Sequence, residues 1–445
     1  MRLQELVRDR DARTTRRSSG HRPARVAIVG FGTVGRSVAR LMQELAPDEL
    51  ELAVIVNRSV HRKRVDWIDS AVRWSDDYRD ALGDDVDLVV ELIGGRSPAE
   101  DWIGQALRAG KSVVTANKQV IAHAGHALLE EAARSGQHLR FEAAVAGGVP
   151  VVRAIEQGLA GDTLTRVAGI LNGTCNYILS RMERERVAFH DALADAQALG
   201  FAEADPSQDI EGFDAQAKLA ILAQIAFAAH VPAGAIESRR VDVIDAVDFV
   251  YAEQMGCTIR QVACAERTSQ RGVLKAGVGP SLVPLDSPLA RVRGSENLVM
   301  LHGRFGGETT FGGLGAGGEP TAVAVLSDLL AVARGGERPA TRTPASQIEV
   351  SPDFTSAYYV RFTVADRPGI IAALSAVFGR HEINIDAILQ QPGFPAGRRP
   401  FVVTLDPCSS SAIRQAVNDL SEFDFHGEPP VVLPVFSAAS MGVLA

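Results

Sequence analysis

A glycine triplet set between a strand and a helix constrains this chain more than any other feature. Arg25-Val-Ala-Ile-Val29 is a short apolar run of the kind a buried parallel strand uses. Gly30-Phe31-Gly32-Thr33-Val34-Gly35 follows directly, and Ser37 to Leu45 then repeats at helical spacing. The first glycine permits a tight turn, and the second lets the backbone approach a pyrophosphate. The third lets the helix pack close to the strand, with its N-terminus facing the phosphate charge. A GxGxxG in that context predicts a nucleotide cradle inside a β-α-β unit.

The next apolar run, Leu52 to Val56, ends at Asn57-Arg58 rather than at a carboxylate. An acidic residue there would bind the ribose 2′-hydroxyl of NAD, whereas an arginine suits the 2′-phosphate of NADP. Arg58, with Arg62, Lys63 and Arg64 behind it, favours NADP(H) and leaves NAD(H) open. Val86–Leu92 and Ser112–Thr115 are further buried strands, ending at Gly94-Gly95 and at Ala116-Asn117-Lys118. Ligands of open parallel sheets sit outside the carboxyl ends of the strands. Lys118 is therefore placed to hold phosphate, nicotinamide ribose or substrate, unless it is an exposed loop lysine. Glu142-Ala-Ala-Val145-Ala-Gly147-Gly148-Val149-Pro150 joins a carboxylate to a glycine turn with free carbonyls. Such a turn can wrap a hard cation through oxygen, or simply cross between domains.

Past Pro150 the β-α alternation loses its regularity. Thr163–Ile170 is strand-like, Asn172 to Tyr177 reads as a polar turn, and Ile178–Arg186 as a helix. Glu203 to Lys218 then concentrates Glu203, Asp205, Asp209, Glu211 and Asp214 ahead of a single lysine. The pattern becomes helical at Phe213, so Asp214 and Lys218, four apart, share a face. A lysine held beside carboxylates in a loop–helix corner is a candidate proton donor to a developing alkoxide. Taken alone, the pair reads first as a solvated surface ion pair. Short strand-like runs between Val241 and Gly318 predict an antiparallel sheet. Gly312 to Pro320 is a second glycine loop, opening a helix at Thr321. Arg334 to Ser346 is a Gly/Pro/Arg-rich linker, and the remainder reads β-α-β-β-α-β, a ferredoxin-like unit.

The 445 residues suffice for two or three domains, each with its own core. A net charge of −8 and an isoelectric point near 5.8 give no reason to expect nucleic acid or an anionic membrane as partner. Cys175, Cys257, Cys264 and Cys408 lie far apart, which suggests neither a zinc site nor a disulfide framework and fits a reducing, cytoplasmic setting. No apolar run reaches the length of a membrane span. Residues 1–23 are polar and arginine-rich, without an apolar centre, and are expected to be a flexible extension rather than a signal peptide.

Taken together these segments resemble homoserine dehydrogenase with a C-terminal ACT regulatory domain, over essentially all of 24–440. The carrying motifs are GFGTVG (30–35), ANK (116–118), EAAVAGGVP (142–150), GILNGTCNYIL (169–179), GFAEADPSQDIEGFDAQAKLAILA (200–223) and GLGAGGEPTAVAVLSDL (313–329). VADRPGIIAAL (364–374), followed by INID, resembles ACT domains, which usually bind amino acids at a domain interface. The resemblance implies an α/β chain. A Rossmann-type nucleotide-binding domain would span 24–141 and be completed by a helix at 319–334. An α+β catalytic and dimerisation domain would span 142–318, a linker 335–355, and a ferredoxin-like ACT domain 356–440.

The implied reaction is reversible reduction of L-aspartate 4-semialdehyde to L-homoserine. Lys218 would be the proton donor, with Lys118 at the same site contacting cofactor or substrate. Glu203 and Asp214 would grip the substrate. The cofactor would lie against Gly30, Phe31, Gly32, Thr33, Val34, Gly35, Arg58, Gly200, Gly315 and Gly317. Glu142, with the main-chain carbonyls of Val145, Gly147 and Val149, would hold a monovalent cation such as sodium. The resemblance also implies a homodimer or homotetramer and an amino-acid effector, with L-threonine the first to try. A chain cut near Ser346 would then keep activity and lose inhibition. Ala217 departs from the family, which is often polar there, and Arg291–Leu298 is more charged than in relatives. Another semialdehyde reductase on the same frame is the nearest rival. A non-catalytic amino-acid sensor would predict a damaged site, yet Lys118, Glu203, Asp214 and Lys218 are all present.

Overall fold

The computed structural model describes residues 22–270, 272–336, 346–395 and 397–437. Most of the extension read at 1–23, the middle of the linker and the last residues lie outside them.

The first layer is a six-stranded parallel sheet. Its strands are β1 (Ala24–Val29), β2 (Leu50–Val56), β3 (Arg73–Ser75), β4 (Leu88–Glu91), β5 (Ser112–Thr115) and β6 (Leu139–Arg140), in spatial order β3-β2-β1-β4-β5-β6. The strand order reverses between β1 and β4, and ligand crevices of doubly wound sheets open at that point. The glycine triplet and Gly94-Gly95 follow those two strands. Gly30 has φ +103, and a Cβ on it would lie 2.7 Å from the Leu92 carbonyl. A Cβ on Gly35 would lie 2.2 Å from the Gly30 oxygen, so the close strand–helix packing tolerates no side chain there. Gly32 has nothing within 4 Å of that position, leaving its backbone open to a ligand. Helix α1 (Thr33–Leu45) starts there, and α2 (Ala99–Arg108) and α3 (Lys118–Ser135) supply the further crossovers.

Lys118 is thus the first residue of an 18-residue helix rather than the end of a loop. The reason is Asn117, whose side-chain oxygen caps the helix by accepting from the Val120 N–H. The turn at Asn172 is likewise a helix start. Asn172 accepts from the Cys175 N–H at 2.8 Å and opens α4 (Gly173–Glu185), which α5 (Phe189–Ala198) follows.

The second sheet is mixed as a whole, but its strands from 241–318 pair antiparallel as expected, and the parallel additions come from outside that span. Its strands are β7 (Leu164–Ile170), with β8 (Ala229–His230) outside it, then β9 (Glu237–Ser238), β10 (Cys257–Arg267), β11 (Val273–Pro284), β12 (Glu296–Gly303) and β13 (Gly307–Leu314). The path β13-β12-β7-β10-β11 is antiparallel throughout, but β9 joins β11 in parallel. Helix α6 (Phe213–Phe227) packs across this sheet with Leu219, Ala220, Leu222 and Ala223 fully buried, and α7 (Ala246–Gln254) follows it. After β13, α8 (Gly318–Ala333) returns to the first layer, where Ala322, Val325 and Leu329 share a core with Ile28, Val38 and Ile55.

Part of the span read as linker is structured. β14 (Ser346–Gln347) pairs with β8, and β15 (Glu349–Ser351) pairs in parallel with β11. The C-terminal unit is β16 (Thr355–Val364), α9 (Ile370–Arg380), β17 (Ile385–Gln390), β18 (Arg399–Ser409), α10 (Ser410–Leu420) and β19 (His426–Pro434), an antiparallel sheet in order β17-β18-β16-β19. It is clamped to the rest of the chain. Asp248 of α7, fully buried, accepts from the Tyr359 hydroxyl at 2.6 Å and from Arg361 Nε at 2.7 Å. A cut near Ser346 would strip two edge strands and leave that carboxylate without its guanidinium, at a cost of about 3–5 kcal/mol. Point substitution is the sounder test of regulation in such a chain. Among the described residues no helix is long and apolar enough to cross a membrane.

Candidate active site

One carboxylate organises the site. Asp214 stands in the first turn of α6, where the helix dipole favours negative charge. Its Oδ1 lies 2.5 Å from Lys118 Nζ, and its Oδ2 lies 2.8 Å from Lys218 Nζ. The i,i+4 pair expected from the sequence is therefore real, but it gains a second ammonium from the nucleotide-binding layer. Burial alone would push Asp214 up; the Lys218 and Lys118 ammonium groups outweigh it and hold the carboxyl well below the usual carboxylate range. Burial opposes the charge on Lys118, yet Asp214 more than compensates and raises its pKa. Lys218 also donates to the Leu171 carbonyl at 2.8 Å.

Residues to which the sequence assigned no role at the site complete the cluster. Asn172 Nδ2 donates to Asp214 Oδ2 at 2.9 Å and to Asp209 Oδ1 at 2.6 Å. Burial, with the nearby Asp214 charge, raises the Asp209 carboxyl. Asn297 of β12 donates to the same Leu171 carbonyl that Lys218 uses. Next to Lys118, Asn117 donates through Nδ2 to buried Glu91 at 3.4 Å, and Glu91 also accepts from the Thr115 hydroxyl at 2.6 Å and from the Ile93 N–H at 2.9 Å. The asparagine before Gly-Thr was a visible helix-cap signal; Asn297, the second residue of a strand, offered none.

The other expected residues take distinct places. Glu203 is exposed on the loop after α5, and its charge is felt at Lys118. Gly200 closes α5 in the left-handed region with φ +78. Phe31 is fully buried against Trp67 and Trp74, so its backbone is what it can offer a ligand. Gly32 and Thr33 are exposed, Val34 is half-buried, and Arg58 is exposed beyond β2. The second glycine loop meets the first: a Cβ on Gly318 would lie 2.8 Å from Thr33 Cγ2. Gly315 is fixed by crowding, since a Cβ there would lie 2.1 Å from the Asn297 side chain. Gly317 has φ +121 and opens α8.

The residues present fit a dinucleotide. Helix α1 has no side chain capping its N-terminus, Gly32 is open, and buried Asn297 Oδ1 beside Gly315 has no partner among the described residues. The turn at 142–149 fits a monovalent cation. Ala146 and Gly147 are both left-handed, with φ 53 and 51, so the chain turns sharply there. Burial, together with Asp328, pushes Glu142 up to about 7, while its oxygens accept from the Val152 and Arg153 N–H groups. The Arg153 guanidinium goes to Asp328 at 2.9 Å, so Glu142 has no cationic side chain of its own among the described residues. Those residues contain no group of three or more His, Cys, Asp or Glu that could hold a metal ion.

A dinucleotide cradle facing a lysine–carboxylate cluster across a domain boundary defines an NAD(P)-dependent oxidoreductase. Comparison with known proteins narrows the class. The model "Homoserine dehydrogenase, NAD binding domain" matches 30–142, "Homoserine dehydrogenase" matches 150–330, and "ACT domain" matches 358–422. The homoserine dehydrogenase of Mycobacterium tuberculosis is 41% identical over 422 residues, covering 91% of this chain and 95% of that one. The crystal structure of a homoserine dehydrogenase from Thiobacillus denitrificans superposes with a TM-score of 0.86 at 31% identity, over 94% of this chain and 99% of that one. A hyperthermophilic archaeal homoserine dehydrogenase in complex with NADPH does so with a TM-score of 0.61 at 26% identity, over 71% and 99%. The chain belongs to the homoserine dehydrogenase family.

Proposed function

We propose that this chain reduces L-aspartate 4-semialdehyde reversibly to L-homoserine, with NADP(H) preferred, at the Asp214 cluster. The observation that carries the reading is the single buried carboxylate shared by two lysines from different domains. Bound at the glycine loops, the nicotinamide would supply the hydride. Lys218 holds the proton for the substrate oxygen, Lys118 supports the same charge from the cofactor side, and Asp214 fixes both. Glu203, at the rim, is the group for the substrate ammonium. Turnover of aspartate semialdehyde against other aldehydes, with NADPH and with NADH, tests the substrate assignment. Equal turnover of unrelated aldehydes would favour a general semialdehyde reductase.

Cofactor preference is assigned to Arg58. Arg58→Ala should weaken NADPH binding by roughly 1.5–3 kcal/mol, as expected for a charge-assisted phosphate pair, and barely alter NADH binding. Equal losses on both cofactors would remove Arg58 from the phosphate site.

A sodium ion is assigned to Glu142 and the carbonyls of Val145, Gly147 and Val149. A carboxyl whose folded pKa is raised contributes stability that is present below its ordinary value and lost as pH rises to about 7. In sodium-free choline buffer the melting temperature should therefore fall as pH rises toward neutrality. Added sodium should restore it, and Glu142→Gln should abolish both effects. No sodium response in the unsubstituted chain would refute the site.

Feedback regulation is assigned to the C-terminal unit, with L-threonine as the first effector, in a cytoplasmic homodimer or homotetramer. The family model for the ACT domain and the buried Asp248–Arg361 clamp support this reading.

A further inference from the structure

Asn297 of β12 carries an unspent hydrogen-bond acceptor where the second glycine loop meets the lysine–carboxylate cluster. The residue is only 1% exposed. Its Nδ2 donates to the Leu171 carbonyl at 2.9 Å, and because a carbonyl can only accept, that contact fixes which end of the amide bears the oxygen. Oδ1 is buried and has no partner among the described residues. A buried amide oxygen is costly to leave unpaired, and few native positions do so. The seat is made by Gly315, itself buried. A Cβ there would lie 2.1 Å from Asn297 Oδ1 and 2.5 Å from Nδ2, so the amide fills the space a side chain would need.

Two directions lead away from this amide. On one side, the Leu171 carbonyl that takes Nδ2 also takes Lys218 Nζ at 2.8 Å. On the other, the loop that begins at Gly315 brings Gly318 against Thr33 of the first glycine turn, where a dinucleotide fits. Either substrate or cofactor could therefore present the missing donor, and their chemistry separates them. The substrate ammonium is a cation, and the charges of Asp209 and Glu203, both felt at Lys118, give it stronger partners than a neutral oxygen. A neutral amide oxygen suits a neutral N–H. The nicotinamide end of a dinucleotide has such a group beside its reacting carbon, the N–H pair of its carboxamide.

We propose that Asn297 orients the nicotinamide: Oδ1 accepts from the carboxamide N–H, while Nδ2 holds the Leu171 carbonyl that anchors Lys218. Hydride donor and proton donor then share one mount. The proposal rests on the dehydrogenase reading above and adds a residue to it. Fluorescence titration of the full chain without substrate is the test, using NADPH and its 3-acetylpyridine analogue, in which a methyl replaces the amide nitrogen. The same comparison is run with NADH, since both cofactors carry the carboxamide. The unsubstituted chain should bind the analogue about tenfold more weakly, because the buried oxygen stays unpaired. Asn297→Ala should bind analogue and natural cofactor within about twofold of each other, as no acceptor remains to tell them apart. At saturating NADPH the same variant should lose about tenfold in kcat, with the semialdehyde KM kept within about threefold. Where Asn297→Ala does not fold, Asn297→Ser decides, since its hydroxyl can still serve Leu171 but supplies no amide oxygen. Equal binding of cofactor and analogue by the unsubstituted chain overturns the assignment of Asn297 and leaves the dehydrogenase reading standing. Discrimination that survives in the variants overturns it too, by placing the acceptor elsewhere. An unchanged kcat overturns the shared mount. A chain that binds neither NADPH nor NADH sinks both readings.

Discussion

Lys218→Ala is expected to lower kcat by about two to four powers of ten, the usual span for losing a positioned general acid. As the aldehyde is reduced, negative charge builds on its oxygen, and a proton must arrive there. An ammonium meets both needs, because it stabilises the oxyanion and then protonates it. Lys218 is held firmly in place, since its side chain is only 12% exposed and two of its three N–H donors go to Asp214 and Leu171. Lys118, at 38%, is the looser of the two and lies nearer the cofactor layer. Cofactor affinity should change little in the variant, since the glycine loops are built from other elements. Glu203→Ala, on an exposed loop, should instead raise KM with kcat nearly kept, the signature of a binding group.

Asp214→Asn should damage both activity and stability. The carboxylate is 6% exposed and balances two ammonium groups, which an amide cannot do. Removing one partner of a buried pair usually costs about 3–5 kcal/mol, because the remaining charge stays buried. Activity should fall by about two powers of ten or more, since Lys218 loses the group that orients it. Acidity provides a check on the cause. A carboxyl whose folded pKa is depressed contributes stability that is present above its ordinary value, about 4, and lost as pH falls toward the folded value. The difference in melting temperature between the unsubstituted chain and Asp214→Asn should therefore be full at pH 7 and shrink on acidification below about 4. A difference independent of pH would mean that packing, not charge, accounts for the loss.

Much of this site was legible because its determinants are local. The strand–glycine–helix order of 25–45, the Asp214–Lys218 spacing and the β-α-β-β-α-β tail each depend on neighbours within a few residues. What stayed hidden depends on contacts between distant segments. Lys118 reads as a loop residue until Asn117 is seen to cap a helix and Asp214 arrives from another domain. Asn297 lies in an ordinary strand, and only the backbone of Leu171 and the crowding at Gly315 give it a role. Phe31 stands in the cradle by its backbone, and only the fold shows that Trp67 and Trp74 draw its ring into the core. The linker looked detachable because glycine and proline mark flexible chain. The Asp248–Arg361 clamp, which joins the C-terminal unit to α7, is invisible without the fold.

Single-turnover oxidation of NADPH by L-aspartate 4-semialdehyde in Lys218→Ala, with and without added methylamine, probes the proton donor without interference from product release. NADPH binding should be intact and the reduction step slowed by about a hundredfold or more, with partial recovery when methylammonium enters the vacated space. Near-normal reduction by a folded Lys218→Ala chain, indifferent to methylamine, would contradict the assignment and move the proton donor to Lys118.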